Sequence, residues 1–196
     1  MSTNKQNLYF IAIIPPEPIY SEVKEFQKHF AEKYRSKEAF RRPSHITLIQ
    51  PFMISESLEA DVKKFMLNFV AKQTPFELSA EGFSSFGFHT IYAALEGNAI
   101  LKKLQKDLSL SFFKKFKIIE RKGPSQRFTA HMTIGFKDLT PPMFELAWKE
   151  YKDKLYCRKW RLKYICLLRH NFKEWEIVEH AELKGEHIGE SMELGF

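Results

Sequence analysis

The apolar pattern of this 196-residue chain runs twice through the same cycle, and that duplication limits its folds more than any single residue does. Residues 8–14 form a short, continuous apolar run stopped by Pro15-Pro16, the mark of a buried strand. From Pro18 to about Arg35, Ile19, Val23, Phe26, Phe30 and Tyr34 recur every three or four positions, which predicts an amphipathic helix. A basic loop with Arg41, Arg42 and Pro43 leads to a strand over 45–49. Ser55 and Ser57 are candidate caps for a second helix with Leu58, Val62, Phe65, Met66 and Phe69 as its stripe. Residues 75–83 then alternate like a third strand. The order returns with a strand over 90–95, a helix over 100–113, a basic loop and a strand over 131–134. A helix opened by Pro141-Pro142 follows, then strands over 160–168 and 175–183. Leu8 precedes His45 by 37 residues, and Ile91 precedes His131 by 40. The expectation is an α+β chain built on a duplicated β-α-β-α-β unit, with approximate repeats 7–84 and 89–170. No Gly/Ser-rich linker parts the halves, so residues 1–196 read as one domain.

Within this pattern the third element of each repeat opens alike: His45-Ile46-Thr47-Leu48 and His131-Met132-Thr133-Ile134. Alternate side chains of a strand share a face, so each His and Thr point one way while the apolar pair points into a core. With seven His in 196 residues, about 0.25 His-x-Thr triplets are expected by chance, and about 0.05 with apolar residues between and after. Two hits, at matching places in both repeats, are not coincidence. Two imidazoles brought together across a cleft suit phosphodiester cleavage without a metal. Their ordinary pKa near 6.5 lets one be neutral and the other protonated near neutrality. The first takes a proton from the attacking hydroxyl or water and the second gives one to the departing oxygen. Thr47 and Thr133 are placed to donate hydrogen bonds to the non-bridging oxygens, where charge grows. Neither motif has a second ligand at i+2 or i+4, so a metal site is not expected, and no cofactor is implied.

Composition closes off other classes. At 44% hydrophobic and 28% charged residues, the chain is neither disordered nor low-complexity. No apolar run is long enough to span a membrane, and the N-terminal run lacks signal-peptide flanks. Two cysteines, Cys157 and Cys166, fit reduced thiols in the cytoplasm. A net charge of +7 favours an anionic partner, and the run 114–127 contributes Lys114, Lys115, Lys117, Arg121, Lys122 and Arg127. Arg127 and Lys137 share parity with the His-x-Thr of the second motif. Gly123-Pro124-Ser125 marks a turn, and Phe88 and Tyr92 are candidates to stack on a base.

The paired His-x-Thr-hydrophobic motifs, with Phe10-Ile11-Ala12-Ile13 followed by Pro15, resemble those of the 2H phosphoesterases, which include 2′-5′ RNA ligase-like proteins and RNA cyclic phosphodiesterases. The resemblance implies two lobes of mostly antiparallel sheet around a central cleft, with helices outside. It also implies metal-free activity on 2′,3′-cyclic phosphates or related 2′-linked diesters, with His45, Thr47, His131 and Thr133 as catalytic and phosphate-holding residues. Many members carry Arg two residues after the hydrophobic position of the second motif, where this chain has Phe136 after Gly135. The expected partners are RNA ends or a small nucleotide diester, with no membrane and no obligate protein partner. An RNA- or nucleotide-binding module without turnover, and a hydrolase of a specialised nucleotide, remain as alternatives.

Overall fold

The computed structural model describes residues 5–118 and 128–186. The first repeat supplies β1 (Gln6–Ile13), α1 (Ile19–Lys33), β2 (Ile46–Ser55), α2 (Glu59–Val70) and β3 (Phe76–Phe86). The second supplies β4 (Thr90–Leu95), α3 (Ala99–Phe116), β5 (His131–Gly135), α4 (Pro141–Tyr151), β6 (Cys157–Leu162) and β7 (Tyr164–His170), and β8 (Trp175–Glu182) follows. All pairings are antiparallel, in two four-stranded sheets ordered β2-β1-β7-β8 and β5-β4-β3-β6. The fold is α+β, as the sequence pattern predicts.

Sequence pattern and structure part at two strands. β2, expected over 45–49, runs on to Ser55, and α2 starts at Glu59 with no side-chain cap. Residues 160–168 read as a single strand, but the chain breaks at Lys163 and the two pieces enter different sheets. Trp160 pairs with Leu78 in the second sheet, whereas Leu167 pairs with Ile11 in the first. Nothing in the local apolar run marks the change of partner. The corresponding exchange occurs in the first repeat, whose third strand, β3, pairs with β4 of the second. Each repeat thus hands its last strand, β3 or β7, to the other's sheet.

Local chemistry explains the remaining elements. Ser55 accepts a hydrogen bond from Ser57 N–H and starts a short 3-10 turn, Glu56–Leu58, that runs into α2. Asn98 caps α3 by accepting from Leu101 N–H at 2.8 Å, and Pro141-Pro142 open α4. β2 continues through Pro51, where the register with β1 slips between Phe52 and Ile49; Pro is tolerated because β2 is an edge strand. Tyr9, Ile11 and Ile13 are buried on one face of β1 in the main core, which takes residues from both sheets and all four helices. The opposite face carries a smaller cluster of Phe10, Ala12, Cys166 and Leu168, with Ile14 and Trp175 packed against it.

The helices cross over as well. α1 packs on β5 and α3 on β2, each against the other repeat's His-x-Thr strand. Phe30 of α1 lies so close to Gly135 that a Cβ there would sit 2.3 Å from its ring. Gly135 is therefore required by the approach of the helix. Asp138, just past β5, accepts from Ser36 Oγ at 2.8 Å and from the backbone N–H groups of Lys37 and Glu38, tying the α1–β2 loop to the same end. No helix among the described residues is long and apolar enough to cross a membrane.

Candidate active site

The two His-x-Thr strands are edge strands, β2 of one sheet and β5 of the other, and they come side by side where the sheets meet. His45 immediately precedes β2 and His131 opens β5. Alternation sends Ile46 and Leu48, like Met132 and Ile134, into the core, and leaves each His and Thr half-buried on the opposite face. Thr47 stands opposite Ala12, and Thr133 opposite Tyr92.

The two imidazoles are held alike. His45 Nδ1 lies 2.7 Å from the Pro43 carbonyl, and His131 Nδ1 lies 2.7 Å from the Thr129 carbonyl. A carbonyl only accepts, so Nδ1 carries the proton in each ring and Nε2 presents a lone pair. No described residue bonds to either Nε2. Aromatic rings fix the ring planes: Phe10 sits 4.9 Å from His45, while Phe86 and Tyr92 sit 4.9 and 5.0 Å from His131. Burial lowers the pKa of both histidines. His45 falls to about 4, chiefly through desolvation, with the charges of Arg42 and His131 pushing the same way and the Pro43 bond opposing.

Glutamines support the strands from behind. Gln27 of α1 donates to the Thr133 carbonyl at 2.9 Å, and Gln105 of α3 donates to the Leu48 carbonyl at 3.1 Å. Lys24 donates to the Phe40 and Arg42 carbonyls, pinning the loop whose Pro43 carbonyl orients His45. The Arg42 guanidinium lies 5.2 Å from the centre of the Phe136 ring.

The other candidates scatter. Tyr92 is buried beside His131, but Phe88, 75% exposed, packs edge-on against Phe144 of α4, 5.9 Å away. The chain turns through Gly87 at φ +55° between Phe86 and Phe88, and it is Phe86 that meets the histidine. Lys137 lies beyond the strand's end at φ +63°, 67% exposed and 4.0 Å from Glu38. Arg127 and the turn at Gly123-Pro124-Ser125 lie outside the described residues. Of the basic run, Lys114 and Lys115 occupy the last turn of α3, where cations complement the helix dipole, and Lys115 also lies over the Phe65 and Phe116 rings. Phe10, Phe86, Arg42 and the two glutamines are not among the site residues that the sequence pattern singles out. Parity gives the face of a strand but not the neighbour that arrives from another strand.

No three His, Cys, Asp or Glu side chains converge in a metal-binding group among the described residues. Cys157 and Cys166 are both free thiols, and burial pushes the Cys166 thiol up to about 12, which keeps it unreactive.

Two curled antiparallel sheets meeting along edge strands that each present a His-x-Thr define a two-histidine phosphoesterase fold. The family model of the 2′-5′ RNA ligase superfamily matches residues 15–174, and the chain belongs to that family. No curated protein matches the sequence. Among solved structures, TT0787 of Thermus thermophilus is similar with a TM-score of 0.65 and 19% identity, over 92% of this chain and 100% of that one. E. coli LigT complexed with 3′-AMP gives a TM-score of 0.62 at 15% identity, over 91% of this chain and 99% of that one. LigT complexed with NADP+ gives 0.57 at 17%, over 92% and 99%.

Proposed function

We propose that the protein is a metal-independent phosphodiesterase that hydrolyses 2′,3′-cyclic phosphates at RNA ends or on small nucleotides. The observation that carries this reading is the matched pair of imidazoles on neighbouring edge strands, each with Nδ1 tied to a carbonyl and Nε2 bonded to no described residue. One neutral ring takes a proton from water as the water oxygen bonds to phosphorus. The other ring, protonated, gives its proton to the ribose oxygen as that oxygen's bond to phosphorus breaks. One water is consumed and a phosphate monoester remains. The bound diester's negative charge raises the pKa of the acid ring and opposes the burial that lowers it. Thr47 and Thr133 donate to the non-bridging oxygens as charge builds there. Arg42, whose charge reaches His45, attracts the anion to the site. With an RNA 5′-hydroxyl in place of water, the same site joins ends through a 2′-5′ bond, and the same acid and base reverse it.

Further support comes from LigT, a protein of similar fold whose solved complexes include 3′-AMP and phosphate. The reading places the enzyme in the cytoplasm, with RNA and with both thiols reduced. The test is a panel of nucleoside 2′,3′-cyclic phosphates and RNA ends assayed with EDTA present. Turnover that persists in EDTA and vanishes in His45→Ala and His131→Ala is expected. Loss of turnover on adding EDTA overturns the metal-free mechanism, and RNA binding with no turnover by the wild type leaves a binding module. Cleavage confined to one unusual nucleotide diester identifies a specialised hydrolase.

A further inference from the structure

The cleft face of the first sheet does not end at His45. Beside it lies an open pocket of about 470 Å³ lined by Ile14, Pro15, Glu17, Tyr20, Pro43, Leu168, Trp175 and Ile177. Its floor continues the small cluster of Phe10, Ala12, Cys166 and Leu168, which faces away from the main core. The link to His45 is direct on two sides. Pro43 is a pocket wall and its carbonyl holds the His45 ring. Phe10 touches both His45, at 4.9 Å, and the wall residue Trp175, at 4.5 Å, so the pocket lies within the span of a nucleotide from the imidazole.

The floor beside His131 is built differently. Tyr92 stands opposite Thr133 where the first half has the small Ala12 opposite Thr47, and its ring packs tilted against Phe86, centroids 4.4 Å apart. The aromatic pair fills the floor beside His131. A substrate with one phosphorus centre and one bulky organic group therefore finds room for that group in the pocket on the His45 side.

The pocket's walls also select chemistry. Trp175 stands edge-on to Phe10 and His170, which steadies its ring, and the proline and aliphatic walls suit an uncharged planar group. Two polar groups interrupt them. One oxygen of the Glu17 carboxylate accepts from Ser21 N–H at 3.2 Å, and no described residue donates to the other. The Tyr20 hydroxyl, its pKa raised by burial and by the charge of Glu17, keeps its proton. A carboxylate repels a second phosphate and accepts from N–H groups.

We propose that this pocket is the nucleobase subsite of the same active centre and that it favours guanine, whose N1–H and N2–H₂ form an adjacent donor pair for Glu17. Uracil presents one N–H between two carbonyls and meets the carboxylate poorly. The proposal rests on the cyclic-phosphate reading for its substrate, but its test does not depend on turnover.

Calorimetric titration with guanosine and with uridine, which carry no phosphate, reads the pocket alone. Guanosine is expected to bind about tenfold more tightly than uridine, and Glu17→Gln to abolish most of that preference. Trp175→Ala is expected to weaken both about tenfold, with Trp175→Phe restoring most of the loss. Equal affinities in the wild type, or affinities unmoved by Glu17→Gln and Trp175→Ala, overturn the subsite. A parallel measurement of kcat/KM on guanosine and uridine 2′,3′-cyclic phosphates separates the two readings. Turnover with no base preference retains the phosphodiesterase and removes the subsite. Guanosine binding without turnover retains the subsite and removes the phosphodiesterase.

Discussion

Each imidazole in the cleft has its Nδ1 proton committed to a backbone carbonyl two residues upstream, at Pro43 and Thr129. That local bond, available because His-x-Thr sits at a strand's entry, leaves Nε2 as the atom that would exchange protons in the proposed reaction. Alanine at His45 or His131 is expected to lower kcat by about 10²–10⁴-fold each, as measured by steady-state kinetics on a cyclic phosphate. Both rings titrate below 6.5 in the free protein, His45 at about 4. The kcat/KM profile should therefore be a bell with its maximum on the acid side of 6.5, and a maximum above pH 7 would contradict it. The same shifts bear on stability. Below pH 6.5 the unfolded chain binds protons that the folded chain refuses, so the contribution of these rings is whole above 6.5 and is lost as the pH falls through about 4. His45→Gln should flatten the fall in Tm between pH 6.5 and 4 relative to wild type, read by calorimetry at a series of pH values. At this scale the sequence disclosed the His and Thr because they repeat with fixed parity. It did not disclose Phe86 or Arg42, whose meetings with His131 and Phe136 depend on which strand or loop lies alongside.

A strand that carries a His-x-Thr at a sheet edge lacks a strand partner on one side, and here a helix from the other repeat supplies the support. α1 is bound to the region of β5 through Gln27 to the Thr133 carbonyl, through Phe30 against Gly135, and through Asp138 holding residues 36–38. α3 does the equivalent for β2 through Gln105. The helix boundaries were legible from periodicity, because an amphipathic stripe and a pair of prolines are local signals, whereas the end of β2 and the break at Lys163 were not. Where each helix packs was not, since an apolar stripe carries no address. Gly135→Ala tests the arrangement. Its Cβ would press into the Phe30 ring, and overpacking of this kind costs about 1–3 kcal/mol. A fall in Tm of about 2–10 °C is expected for a chain of this length, with kcat reduced because β5 moves with His131. The double variant Gly135→Ala/Phe30→Leu should recover much of the loss. Equal damage in the single and double variants would show that the contact does not set the position of β5.

The whole molecule depends on exchange between its halves. β3 is encoded in the first repeat and paired in the second sheet, β7 is encoded in the second and paired in the first, and both crossing helices follow the same rule. The duplication was visible in the order of elements, yet the swap was hidden because a repeat's last strand reads the same whichever sheet receives it. The break at Lys163 was missed for that reason: the apolar run continues while its partners change. Exchange has a consequence for cooperativity. If the chain were cut at the β3–β4 hairpin between residues 87 and 89, the first fragment would keep β1 and β2 but lack β7 on the other side of β1. Its β3 would have neither β4 nor β6 to pair with. Its α1 would lose β5 and expose Phe30, and the two histidines would be on separate molecules. Neither fragment alone buries a sheet on both sides, so each is expected to show little fixed structure by circular dichroism and NMR. Mixed or co-expressed, the two should associate into one native-like complex with cyclic-phosphate turnover restored, because every lost pairing is available from the other piece. A first fragment that folds cooperatively by itself would show that the repeat, and not the exchanged pair, is the unit of stability.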